Sequence, residues 1–125
     1  MTALRATAPS GSEPDSPAWV IHVAPEDGAM FVLRDTPILL RLSHPADSAS
    51  FARGVRVLDA AGEVPTEIRG LSQGLIVLIK PLRLLVPGVE HVLIVRGLLD
   101  RRGREMAEHW SRFVPCGLAR EDFAS

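Results

Sequence analysis

The chain has 125 residues, of which 46% are hydrophobic, so it suits one folded domain with its own core and is not an intrinsically disordered protein. Its 14 basic and 15 acidic residues leave a net charge of −1, and this balance does not favour nucleic acid or an acidic membrane as a partner. A single cysteine, Cys116, excludes an intrachain disulfide and cannot by itself form a metal site.

The N-terminal part, residues 1–18, is rich in Pro, Ser, Gly and Ala and has no hydrophobic period, which predicts a flexible tail or linker. It lacks the apolar core of roughly 7–15 residues that a signal peptide needs, so taken literally it predicts a cytoplasmic protein. No run of about 18 apolar residues occurs in the chain, which predicts that it has no transmembrane segment of its own.

From Trp19 onward the sequence consists of short apolar runs that end at Gly, Pro or Asp. In chain order these runs are 19–23, 37–43, 54–59, 64–69, 74–80, 90–98 and 110–115. Short runs with turn signals about every 8–12 residues are typical of an all-β sandwich. We therefore predict a seven-stranded antiparallel β-sandwich over residues 19–115, followed by a short C-terminal tail at 116–125.

The stretch GLSQG at 70–74 matches G-x-S-x-G, the turn that presents the nucleophilic Ser of α/β-hydrolases. That turn needs a helix after the Ser, whereas Ser72 is followed by the β-type run GLIVLIKP. We interpret the stretch as a hairpin turn in which Gly70 or Gly74 supplies a positive φ angle. The sequence thus predicts no catalytic residue and no enzyme activity.

Several turn motifs, taken together, resemble bacterial Ig-like domains of the SbsA type, which occur in surface-layer proteins and adhesins. The motifs are APEDGA at 24–29, LRLSHPADSASF at 40–51, LLVPGVEHVLIVRGLLDRRGREMA at 84–107 and WSRF at 110–113. The resemblance covers about residues 19–115 and implies an Ig-like sandwich with Greek-key connections. It also implies a role in spacing, cohesion or protein contact, and an exported or cell-surface protein, in contrast to the literal N-terminus.

The chain departs from this family at His91, which stands where many members have a Tyr. The sequence contains no Tyr, so the usual tyrosine-corner hydrogen bond is excluded. We expect His91 to bond a backbone group in its place. The other histidines, His22, His44 and His109, show no ligand spacing, so no metal site is predicted.

Periplasmic copper-binding carriers also resemble the first half of the chain, through a P-a-d-G turn and an F-S-e-p strand. This resemblance implies a metal site only if the chain has a mature N-terminal His and a D-G-H turn near its end. DRRG at 100–103 occupies that loop and contains no His. We predict no cofactor, and a small ligand-binding sandwich for a metal such as copper, or for carbohydrate, is the alternative.

The predicted strands are apolar on both faces. In a half-buried antiparallel strand, residues alternate between core and solvent. The positions predicted to face the core are Ile38, Leu40, Leu42, Leu75, Val77, Ile79, His91, Leu93 and Val95. The positions left facing outward are Leu39, Ile76 and Leu78 in one sheet, and Val92 and Ile94 in the other.

Contiguous outward apolar side chains usually mark a partner site. An Arg-rich loop, with Arg101, Arg102 and Arg104, could add a contact to an anionic group. We therefore predict an interaction or structural module, an accessory subunit that docks onto a larger protein assembly through these residues. The open alternative is that the N-terminal tail or the turn at 44–54 folds back over the apolar positions.

Overall fold

The computed structural model describes residues 17–123, and the statements below concern these residues. Its strands are β1 (Val20–Ala24), β2 (Ala29–Val32), β3 (Ile38–Leu42), β4 (Val55–Asp59), β5 (Gly62–Glu63), β6 (Thr66–Leu71), β7 (Ile76–Pro81), β8 (His91–Val95) and β9 (His109–Pro115). One short helix, α1 (Phe51–Gly54), follows a 3₁₀ turn at Ser48–Ser50. Further 3₁₀ turns lie at Ser72–Gly74 and Arg120–Phe123.

The strands form a four-stranded sheet in the order β1-β3-β7-β6 and a five-stranded sheet in the order β2-β9-β8-β4-β5. The prediction of an all-β sandwich is confirmed. β3 and β7 share one sheet and β8 lies in the other, as the sequence predicted. The buried apolar side chains of both sheets form one hydrophobic core.

The predicted number of strands was wrong, because the described residues contain nine strands rather than seven. β2 and β5 were missed because segments of four and two residues are too short to show a period of two. The purely antiparallel prediction was also wrong, since β2 pairs with β9 in parallel. The chain leaves the four-stranded sheet after β1 and crosses to the five-stranded sheet. There β2 lies at the edge beside β9 and runs in the same direction.

The predicted alternation along the central strands is confirmed with one exception. Ile38, Leu40 and Leu42 in β3, Val77 and Ile79 in β7, and His91, Leu93 and Val95 in β8 are all buried. Leu75 was expected to face the core but is 38% exposed. It lies in the turn before β7 begins, where the alternation of the strand does not apply.

The GLSQG stretch forms a hairpin turn between β6 and β7, as the sequence predicted. Gly74 has a φ of 94°. Ser72 and Gln73 also have positive φ angles, of 52° and 61°. Gly70 is different, since it is part of β6 and pairs with Val77. Ser72 is followed by a strand and not by a helix, so the structural context of a hydrolase nucleophile is not present at this position.

Candidate interaction surfaces

The outer face of the four-stranded sheet carries a cluster of apolar side chains that we call the Leu39 patch. It consists of Leu39, Leu71, Ile76 and Leu78. Leu39 in β3 pairs with Leu78 in β7, and Leu71 in β6 pairs with Ile76. The structure therefore brings the three predicted residues of this sheet together on adjacent strands, where each is partly buried.

Leu71, which is 39% exposed, was missed by the sequence analysis because the predicted strand ended at residue 69. The pairing of β6 with β7 adds it to the patch, and that pairing is a tertiary feature.

Charged and small residues surround the Leu39 patch. Arg41 pairs with Ile76, Arg69 pairs with Leu78, and Ala24 pairs with Leu39. The Arg69 guanidinium lies 3.5 Å from the carboxylate of Glu67 at the edge of the sheet. An apolar centre within a polar rim is the usual composition of a protein–protein contact surface.

The outer face of the five-stranded sheet is different, because its apolar residues alternate with arginines. Val92 pairs with Arg112 in β9 and with Leu58 in β4. Ile94 pairs with Trp110 in β9 and with Arg56 in β4. Val92 and Ile94 do face outward, yet they do not form a purely apolar patch.

A groove of about 400 Å³ lies at one end of this face. We call it the Ile94 groove, and it is lined by Arg53, Arg56, Ile94, Arg96, Gly97 and Trp110. Trp110 is 47% exposed, and its indole N–H donates a hydrogen bond to the carboxylate of Glu108. Sequence patterns could not place Arg53 and Arg56 beside Trp110, because the pairing of β4 with β8 was not predicted.

The predicted Arg cluster is divided among several sites. The Arg104 guanidinium lies 3.3 Å from the buried carboxylate of Asp100, which also accepts hydrogen bonds from the N–H groups of Arg102 and Arg104. The Arg101 guanidinium donates to the carbonyl of Gln73. These contacts hold the loop in a compact turn, in which Arg101 and Arg102 are exposed and Arg104 is partly buried.

The carboxyl of Asp100 has a lowered pKa. Burial acts to raise the pKa, but the two backbone N–H groups and the Arg104 guanidinium stabilise the carboxylate and outweigh that effect. The pKa of Asp59 is also lowered, first by the N–H group of Ala61 and, against the effect of burial, by the Arg83 guanidinium. Both acids therefore favour their charged form in the fold.

His91 is fully buried and forms the backbone contact that the sequence analysis expected. Its Nδ1 lies 2.8 Å from the carbonyl oxygen of Val89. The imidazole stacks on the ring of Phe113 with a centroid distance of 5.5 Å. Its Nε2 has no hydrogen-bond partner and lies 3.9 Å from a carboxylate oxygen of Asp59.

A cluster of metal-binding side chains is not found in the part of the chain that the structure describes. Within residues 17–123, no three His, Cys, Asp or Glu side chains are close enough to hold a metal ion. The loop around Asp100 carries arginines instead of a histidine. Across the same residues, no helix is both long and apolar enough to cross a membrane.

No protein-family model and no curated protein matches the sequence of this chain. The fold, however, is similar to that of several solved structures. CopC from Methylosinus trichosporium OB3b is 17% identical, with a TM-score of 0.66 over 79% of this chain and 93% of that one. Domains 1–6 of the surface-layer protein SbsC are 18% identical, with a TM-score of 0.63 over 91% of this chain and 15% of that one.

A third similar structure is L,D-transpeptidase 1 from Mycobacterium tuberculosis. It is 18% identical and has a TM-score of 0.54, over 80% of this chain and 39% of that one. At such low identities these likenesses show a shared β-sandwich fold. Because one fold can carry unrelated functions, the function of this chain has to be argued from its own surfaces.

Proposed function

We propose that this protein is a non-catalytic Ig-like module with Greek-key connections that docks onto a larger protein assembly as an accessory subunit. The observation that supports the proposal is the Leu39 patch. Four large apolar side chains adjoin one another on an outer sheet face, at positions where a solvated strand would carry polar residues. The SbsC-like fold supports an exported or cell-surface location as part of the same proposal.

Docking would be driven by removal of the patch from water. Burial of apolar surface contributes about 25 cal/mol per Å², before the costs of association are subtracted. The rim charges Arg41 and Arg69 would set the orientation of the partner rather than its affinity. On the same proposal, Val92 and Ile94 form a second contact on the opposite sheet, and Arg101, Arg102 and Arg104 bind anionic groups of the partner from their loop.

The test is affinity purification of the tagged full-length chain from its native organism, with the double variant Ile76→Thr/Leu78→Thr compared with the wild type. We expect the wild type to recover one defined complex in stoichiometric amounts. The double variant should lose that complex while its thermal unfolding changes little, because both side chains point away from the core.

Val77→Thr is the matched control, since Val77 lies between the two positions in β7 and is 0% exposed. It should destabilise the fold by about 1–3 kcal/mol, because it places a hydroxyl in the core. Unfolding of the double variant to the same degree would contradict the outward placement. Recovery of the same complex by the double variant would contradict the proposed docking surface.

A further inference from the structure

We propose that the Ile94 groove binds an acidic, partly apolar segment of a protein partner. This inference rests on the proposed role as a docking module. It concerns the opposite sheet and a partner of stated chemistry, so it can fail while the Leu39 patch is still a docking surface.

The groove places cations and an aromatic ring in one row across three strands. Arg56, Ile94 and Trp110 are neighbours in β4, β8 and β9, and all three face outward. Because neighbouring strands lie about 4.8 Å apart, the backbones at Arg56 and Trp110 are roughly 10 Å apart with Ile94 between them.

Two further arginines close one end of this row. Arg53 lies in α1, just before β4, and Arg96 directly follows β8. The backbone N–H of Arg96 donates to the carbonyl of Gly54 at 3.0 Å, so the two segments are joined at this end of the sheet. Arg53, Arg56 and Arg96 therefore line one groove.

These three guanidinium groups have no hydrogen bond or ion pair with any residue between 17 and 123. Several other arginines differ in this respect, since Arg83, Arg104 and Arg112 lie 3.3–3.8 Å from carboxylates. The carboxylate of Glu108, beside the groove, is bonded to the Trp110 indole. Carboxylates are the groups that guanidinium binds in a planar, bidentate way, so a partner that supplies several of them would satisfy this cluster.

The form of the groove favours a protein segment over a small molecule. Small-molecule sites usually enclose most of the ligand surface, whereas this groove lies open on a sheet face. The face continues into the next row, where Leu58, Val92 and Arg112 repeat the mixture of apolar and basic groups. Trp and Arg are also the residues enriched at the centres of protein interfaces. A segment in which acidic and apolar residues alternate would match both rows.

The test uses the full-length chain and a short, dye-labelled synthetic peptide in which Glu and Leu alternate, with binding measured by fluorescence anisotropy. The control peptide has Gln in place of each Glu. Trp19→Phe leaves Trp110 as the single tryptophan, so its emission reports binding at the groove. We expect the acidic peptide to bind, to shift the Trp110 emission, and to bind more weakly as salt screens the charges.

Arg53→Gln, Arg56→Gln and Arg96→Gln should each weaken binding about two- to fivefold, as expected for exposed ion pairs, and the triple variant at least tenfold. Arg120→Gln is the control, because it removes the same charge from an exposed side chain in the C-terminal turn. Thermal unfolding should be the same for all five variants.

Three results would each overturn the proposal. The first is no binding of the acidic peptide at millimolar concentration and low salt. The second is equal binding of the Gln peptide. The third is equal binding by the triple variant. If the double variant Ile76→Thr/Leu78→Thr also keeps the native complex, the docking function itself fails. If it loses that complex while the peptide does not bind the wild type, the groove proposal alone fails.

Discussion

His91 shows how a buried imidazole is accommodated at the start of β8. An imidazole at this corner reaches the Val89 carbonyl oxygen at 2.8 Å and stacks on Phe113, so it performs both the polar and the packing role of a ring at the start of β8. The arrangement is unfavourable in one respect, because the Nε2 atom of His91 is buried without a hydrogen bond. Such a group is usually paired, and the nearby Asp59 carboxylate oxygen, at 3.9 Å, is too far away to form a hydrogen bond with it.

His91→Ala should therefore be strongly destabilising. It leaves a cavity of ring size beside Phe113 and removes the partner of the Val89 carbonyl, so we expect a loss of about 3 kcal/mol in the free energy of unfolding. Urea denaturation measures this change. His22→Ala is the control, because His22 is exposed, and it should change stability by less than about 0.5 kcal/mol. A similar small effect at His91 would show that the corner contact is dispensable.

α1 is only one turn long, and its position depends on a close approach of its last residue to another segment. A Cβ atom on Gly54 would lie 2.7 Å from the Cα atom of Leu98, in the loop after β8. The absence of a side chain thus lets α1 pack against this loop and places Arg53 beside Arg96 at the end of the Ile94 groove. The backbone contact between Arg96 and Gly54 has the same origin.

Gly54→Ala should destabilise the fold by about 1–3 kcal/mol, since the backbone of Leu98 must move to admit the methyl group. It should also weaken peptide binding at the groove, because α1 shifts. Gly117→Ala is the matched control, since a Cβ atom there meets nothing within 4 Å. Differential scanning calorimetry of the two variants measures the effect. Equal melting temperatures would refute the close approach.

The two sheets present different outer faces, and this difference is a property of the whole molecule. The four-stranded sheet exposes the Leu39 patch, whereas the five-stranded sheet exposes mixed rows of arginine, Trp110 and aliphatic residues. Three ionisable groups have pKa values that are shifted in the same direction. Asp59, Asp100 and His109 all have lowered pKa values. For His109 the cause is burial of the imidazole, which outweighs the attraction of the Asp27 carboxylate.

Stability should consequently rise with pH. A lowered His pKa means that the fold favours the neutral ring. The contribution of His109 to the free energy of unfolding is therefore complete above the unfolded pKa of about 6.5, and it is lost as the pH falls from there through the lower pKa of the folded state. The contributions of Asp59 and Asp100 are complete above about pH 3.9 and are lost as pH falls through their lower folded values.

Urea denaturation at a series of pH values separates these windows. His109→Gln should make the free energy of unfolding depend less on pH just below about pH 6.5. Asp100→Asn should have the same effect below about pH 3.9. Each variant should leave the other window unchanged. A wild-type stability that is constant from neutral pH to about pH 3 would contradict the expected sign for both groups.

Much of the architecture could be predicted from short-range patterns. Alternation over five or six residues identifies which side chains of β3, β7 and β8 face the core, because a strand places successive side chains on opposite faces. The same alternation predicted that Leu39, Ile76, Leu78, Val92 and Ile94 face outward. It failed at Leu75, where the turn continues one residue further than the pattern suggests.

The sequence alone determined the fold class, the core faces of the long strands and the hairpin at GLSQG, because each depends on local period or turn chemistry. The backbone contact of His91 was expected from the family resemblance. Only the tertiary structure decided which side chains are neighbours across the sheets. The pairing of β4 and β9 with β8 brought Arg56 and Trp110 to Ile94, and the pairing of β6 with β7 added Leu71 to its patch. Strand pairing joins residues far apart in sequence, and no local pattern records which partner lies across the sheet.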